Sequence, residues 1–247
     1  MKQAYPLLLR AEGSAFSFLT IKSEVNSLWG FFLTANIMGD VGLFLSGAAL
    51  FLNSFMLFGK ADGKSVGYFN LFVGVLQVVI PFYLIVISDQ QHWTIFNLAS
   101  IFLFGLTYLF VGVTNVKGLH GSGLGYYSLW VSVVAILYAV VSFLKFHDTV
   151  GSLTWVAWAY LWFLFFLSGA LNKKIDSYIG KVACVQSWVT LTFPALLSMA
   201  GVWKTQAVSQ AWTYVLIASF VYFIVCTIQL VFSSQKKEKR LEVQAAS

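Results

Sequence analysis

Trp155-Val156-Ala157-Trp158-Ala159-Tyr160-Leu161-Trp162 lies near the start of an apolar segment that carries no charged residue from Thr149 to Asn172. A continuous apolar run of that length meets the roughly 20 residues a membrane-spanning helix needs. On a helix, indoles at i, i+3 and i+7 fall on one face. Seven residues of helix climb roughly 10 Å, which takes Trp162 away from any interface that holds Trp155. An interfacial tryptophan belt therefore explains Trp155 well and Trp162 poorly. A slot of aromatic rings lining a path for a small, flat, polar solute, with indole N–H groups as sparse donors, explains all three. The spacing alone leaves both readings open.

Working outward, the same pattern repeats. The chain has 247 residues, of which 59% are hydrophobic, 18% aromatic and only 10% charged, and its mean hydropathy is +0.81. No ordinary water-exposed surface can be made from that composition. Uncharged runs at 41–59, 65–88, 90–116, 121–144, 149–172, 182–203 and 205–235 predict seven spans. These runs are too long and too continuously apolar for the roughly 10-residue alternating strands of a transmembrane barrel. The expected fold class is all-α, a polytopic membrane helical bundle, with spans at about 41–59, 66–87, 93–114, 126–144, 153–171, 183–203 and 211–233. Residues 1–37 read as an N-terminal extension, either an interfacial helix or a lead into the first span, with Met38 an alternative start of translation. Residues 236–247 read as a basic tail against lipid headgroups.

Charge sets the expected orientation. Lys60, Lys64, Lys117, Lys173, Lys174, Lys181, Lys236, Lys237, Lys239 and Arg240 fall on one side of the spans, ten of the 15 basic residues. The positive-inside rule makes that side cytoplasmic, with the N-terminus outside and the C-terminus inside. The formal charge of +6 is dispersed among short loops as a topology signal, so no nucleic-acid partner is expected.

Chemistry is sparse at depth. Beyond Asp40, at the very start of the first span, no Asp, Glu, Lys or Arg falls in a span centre, which argues against ion-coupled pumping. His92, His120 and His147 lie in or beside loops, and Cys184 and Cys226 fall singly within spans. No metal, no cofactor and no catalytic group is expected, and the chain is not read as an enzyme. A retinal-protein reading fails as well, because 205–235 holds no lysine. The neutral polar residues Asn53, Asn70, Gln77, Thr107, Tyr108, Ser128, Ser132, Gln186 and Thr190 are expected to make interhelical hydrogen bonds.

Four stretches carry a resemblance. They are Asn53 followed by Lys60-Ala61-Asp62-Gly63-Lys64-Ser65 and Asn70-Leu71-Phe72-Val73-Gly74, Phe104-Gly105-Leu106-Thr107-Tyr108-Leu109, Tyr127-Ser128-Leu129, and the tryptophan segment. In order and spacing the chain resembles the AmiS/UreI family of urea and short-chain amide channels from about Met38 to Trp203. The resemblance implies a six-helix domain at 38–204 with its own solute path, assembled into a homohexamer, and leaves 205–235 as an additional seventh helix. It implies a path lined by Phe104, Tyr108, Trp155, Trp158, Leu161 and Trp162, with Leu43, Leu50 and Asn53 nearby, and Gln186 is counted with them as a tenth path residue. The implied function is passive permeation of urea or short-chain amides. The alternative is a non-transporting scaffold or accessory subunit whose aromatics only pack.

The chain departs from the acid-gated members at defined positions. Gln186, eight residues before Pro194, stands where those channels carry a glutamate, and the loop between spans two and three is short and holds only His92. An amide has no proton to lose near neutrality. With only His92 and His147, beside Asp89 and Asp148, titratable on the outer face, little acid gating is expected.

Overall fold

The computed structural model describes residues 38–245, with side chains placed through residue 232. The chain divides into two units, Met1–Gly39 and Asp40–Ser247, and the helical bundle is built from the second. The expectations for 1–37, including a start at Met38, lie outside the described residues. Among the described residues all regular structure is helical: α1 Met38–Leu57, α2 Gly63–Ile87, α3 His92–Lys117, α4 Ser122–Leu144, α5 Thr149–Gly169, α6 Asp176–Met199 and α7 Gln206–Ala245. All seven are long and apolar enough to cross a membrane, α7 over Gln206–Phe232. The chain is an integral membrane protein.

Short polar turns set the helix ends. The Asp62 carboxylate accepts from the Ser65 N–H at 2.8 Å, and the Asp148 carboxylate accepts from the Gly151 N–H at 2.8 Å. Each satisfies an amide that the first helical turn leaves without a partner. Gly118, with φ of 64°, ends α3 in the left-handed conformation.

Most helices begin a few residues before the expected spans, and the two largest differences have physical reasons. α6 starts at Asp176 rather than near 183, because the exposed Lys181 is tolerated in the second turn, where a long side chain reaches the interface. α7 runs on as helix through the stretch expected to be a tail, since 233–245 contains only good or tolerable helix formers and neither Gly nor Pro.

Helix pairs close through small residues. Pro81 in α2 has no N–H for the carbonyl of Gln77 four residues earlier. Gly105 of α3 packs there so closely that a Cβ would stand 2.9 Å from that oxygen. At the α4–α5 contact a Cβ on Gly169 would stand 3.2 Å from the Gly125 Cα. Such close approach lets dispersion hold helices together where lipid supplies little hydrophobic drive.

Buried amides and hydroxyls stitch the helices. Asn53 and Asn70 exchange amide hydrogen bonds of 2.9 and 2.7 Å between α1 and α2. Gln77 donates to the Gly42 carbonyl at 2.7 Å, and Ser132 of α4 donates to the Ala159 carbonyl of α5 at 2.8 Å. α7 covers the α5–α6 face, where Tyr178 shares a hydrogen bond with Thr227 at 2.7 Å and Tyr160 stacks on Phe223 at 6.2 Å. It is the most peripheral span, with the smallest share of its residues buried.

Candidate functional site

The three indoles of α5 converge on one phenyl ring from α3. Phe104 lies 4.7 Å from Trp158, 5.0 Å from Trp162 and 6.3 Å from Trp155, centroid to centroid. Trp155 and Trp158 meet edge to face at 4.8 Å, and Tyr138 of α4 stacks on Trp155 at 4.6 Å. These are the offset and perpendicular arrangements that aromatic quadrupoles favour. The periodic face of the sequence is thus one cluster inside the bundle. Trp162, only 5% exposed, belongs to no interfacial belt.

Threonines fix two of the indoles. Trp158 Nε1 donates to Thr190 Oγ1 of α6 at 2.9 Å, and Trp162 Nε1 donates to Thr107 Oγ1 of α3 at 3.2 Å. Both N–H groups therefore point into neighbouring helices, whereas the slot reading of the sequence expects them as donors facing the path. Each threonine passes its own proton to a carbonyl one turn earlier, Thr190 to Gln186 at 2.7 Å and Thr107 to Leu103 at 2.6 Å.

Around this cluster three cavities follow one another along the bundle. The first, of about 200 Å³, lies where α1 and α5 begin and α6 ends; Asp40, Leu43, Asp148, Trp155, Ser198 and Trp203 are among its lining residues. The second, of about 40 Å³, is walled by residues that include Leu50, Asn53, Phe104, Tyr108, Leu161 and Trp162. The third, of about 170 Å³, opens where α1, α3 and α5 end, beside Met56, Asn115 and Ser168. Trp158 borders both the first and the second. Asn53, Val111, Leu124 and Phe165 border both the second and the third. The middle space has room for only two or three molecules the size of water, at roughly 15 Å³ each, so it is the narrow point.

Nine of the ten sequence-named residues border these cavities, Leu43 and Trp155 at the first and the others at the narrow point. Gln186 stands apart. It is 1% exposed, donates from Nε2 to the Ala157 carbonyl at 2.8 Å, and faces a void shared with Leu216, Ser219 and Phe220 of α7. Sequence reasoning does not single out Asp40, Trp203, Thr107 and Thr190 as site residues. Thr107 and Thr190 are among the neutral polar residues expected to bond between helices, which is the available signal; Asp40 and Trp203 need the fold.

The hydroxyls at the narrow point share one chemical property. Tyr108 donates to the Ser46 carbonyl at 3.0 Å, Ser128 to the Leu124 carbonyl at 2.8 Å, and Thr107 to Leu103. Their protons are engaged with backbone carbonyls, so toward a solute these oxygens can act only as acceptors. No cluster of three or more metal-ligating side chains occurs among the described residues.

Comparison with known proteins agrees with this architecture. The AmiS/UreI family transporter profile matches residues 38–202, ending before α7. A protein of Rhodococcus erythropolis named as a transporter, AmiS2, is 38% identical over 177 residues, covering 71% of this chain and 86% of its own length. A protein of Mycolicibacterium smegmatis named for transport of amidate substrates is 39% identical over 169 residues, covering 68% and 79%. The Helicobacter pylori urea channel in its closed state has a similar fold, with a TM-score of 0.60 and 24% identity over 65% of this chain and 97% of that one. By profile, by sequence identity and by fold, the chain belongs to the AmiS/UreI family of transporters.

Proposed function

We propose that each protomer conducts urea or short aliphatic amides passively, through the three cavities and across the aromatic narrow point. The observation that carries this reading is the pairing of flat ring walls with hydroxyl oxygens whose protons are already engaged. A planar solute rich in N–H donors fits such a site. It slides between ring faces and replaces part of its lost hydration with bonds to lone pairs. A solute needing several donors finds few. The names of the relatives, an amidate-substrate transporter and a urea channel, point to the same chemical class.

At the narrow point Trp158 and Trp162 are held by hydrogen bonds, whereas Leu50 and Leu161 have no polar tether. The leucines are the parts that move aside for a solute larger than water. Binding stays weak at such a site, which suits flux in both directions. With no Asp, Glu, Lys, Arg or His side chain at the narrow point, there is no charged group to couple solute to an ion.

Three further elements belong to the proposal. The protein assembles as a homohexamer in the cell membrane. Its N-terminus lies outside and its C-terminus inside. Acid gating is weak, since Gln186 has no titratable proton and the carboxyl and imidazole groups at the first cavity's end are few: Asp40, Asp89, His92, His147 and Asp148.

Uptake into proteoliposomes tests the passive mechanism. Labelled urea and acetamide should plateau at the external concentration, with or without an imposed proton or sodium gradient. Accumulation above that level, abolished when the gradient is collapsed, would refute it.

A further inference from the structure

We propose that α7 is a positioning element of the solute slot, acting through Trp212 on the turn of α6 that carries Thr190. The inference rests on the reading of Trp158 as a wall of the path.

α6 is not α-helical throughout. Ser187–Thr192 forms a π-helical turn, in which the Phe193 N–H bonds the Trp188 carbonyl five residues earlier. Continued in that register, the next N–H would serve the Val189 carbonyl. Residue 194 is proline and has none. The turn therefore leaves one carbonyl without a donor from its own helix, in a setting where an unpaired backbone group is strongly disfavoured.

The missing donor comes from α7. Trp212 Nε1 donates to the Val189 carbonyl at 2.9 Å. Its ring is held edge-on by Trp203 at 5.5 Å and by Phe193 at 6.4 Å, and Trp203 itself borders the first cavity. The next residue in the turn is Thr190, the acceptor for Trp158. A chain of contacts thus runs from Trp212 through the turn to the indole that separates the first cavity from the narrow point.

α1 restrains the turn from the other side. Gly47 packs so tightly that a Cβ would stand 3.1 Å from the Ser187 carbonyl oxygen, hard against Thr192. Without the Trp212 donor, the turn recovers a partner for Val189 only by shifting register, and a shift carries Thr190 away from Trp158. The family match ends at 202, so this tie is an addition to the six-helix core. It makes the slot's width depend on a helix that touches no solute.

The test uses the full chain in proteoliposomes, with stopped-flow rates for urea and acetamide and their ratio as the readout. Trp212→Phe keeps a ring against Trp203 and Phe193 and removes the N–H; Trp212→Leu removes both. Thr190→Val removes the hydroxyl that receives Trp158. The expected result is a change in the acetamide-to-urea ratio of about threefold or more for Trp212→Phe, a size typical of mutations that act through a packed network. In a Thr190→Val background, Trp212→Phe should add no further change, because both act on one contact. An indole N–H resonance assigned to Trp158 should also move in Trp212→Phe. If Thr190→Val shifts the ratio but Trp212→Phe leaves both ratio and resonance at the wild-type values, the positioning role is overturned while the conduction reading stands. Independent, multiplying effects of the two substitutions would overturn it as well. A wild-type chain no more permeable than empty liposomes would remove the conduction reading and this one with it.

Discussion

Trp158 joins two functions in one side chain, a ring face shared by two cavities and an N–H anchored on Thr190. Trp158→Ala should remove that partition and lower discrimination between urea and a bulkier amide by about tenfold or more, the scale of one or two methylenes in a fitted pocket. Trp158→Phe should cost less, since most of the wall remains. The ratio of stopped-flow rates checks both. Leu161→Ala should raise flux of the larger solute, because the movable obstruction is shortened. Gln186 tests electrostatics behind the wall. Its Nε2 donates to a carbonyl, so a glutamate there can keep that bond only when protonated, and burial also favours the neutral form. In Gln186→Glu the folded state binds the proton more tightly than the unfolded chain. Stability should therefore fall as pH rises above the ordinary glutamate range, about 4.3. A melting temperature that, relative to wild type, does not decrease between pH 4 and 7 would contradict this. The aromatic face was legible in the sequence because three indoles keep helical period. The burial of their N–H groups was not, since Thr107 and Thr190 come from helices whose rotation no spacing within α5 reveals. Gln186 was expected from its residue type to bond between helices, as it does to Ala157; its place on the path came from resemblance, and only the fold shows it turned toward α7.

Span number and approximate position were readable from uncharged run length, which the hydrocarbon thickness dictates. The starting point of α6 was not, because run counting stops at Lys181 while helix geometry lets that side chain extend to the interface. The π-helical turn was also hidden. Pro194 announced a disturbance in α6, but whether it is met by a bend, a register change or a donor from elsewhere depends on neighbours such as Gly47 and Trp212. Gly105 offers a test at this scale. Gly105→Val places methyls against the Gln77 carbonyl, where a Cβ alone stands 2.9 Å away. Overpacking of this kind costs about 1–3 kcal/mol. The detergent-solubilised protein should melt several degrees lower, and an unchanged melting temperature would mean that α2 and α3 sit further apart. Gly118→Ala, at an open left-handed turn, should cost less and leave the helix packing intact.

At the scale of the molecule, ten basic residues against five support the proposed placement of the C-terminus inside. A cytoplasmic reporter fused after Ser247 should be active and an exported one silent; the reverse would invert the whole path, cavity for cavity. The path itself is proposed to be open to diffusion and indifferent to acid. Stopped-flow light scattering of proteoliposomes in urea and acetamide gradients at outer pH 5 and 7.5 tests that claim most directly. The account predicts re-swelling faster than empty liposomes for both solutes, nearly equal at the two pH values, and strongly altered by Trp158→Ala. Rates equal to those of empty liposomes would contradict conduction. A rise of about tenfold on acidification, equivalent to about 1.4 kcal/mol of proton-linked bias, would contradict the ungated mechanism.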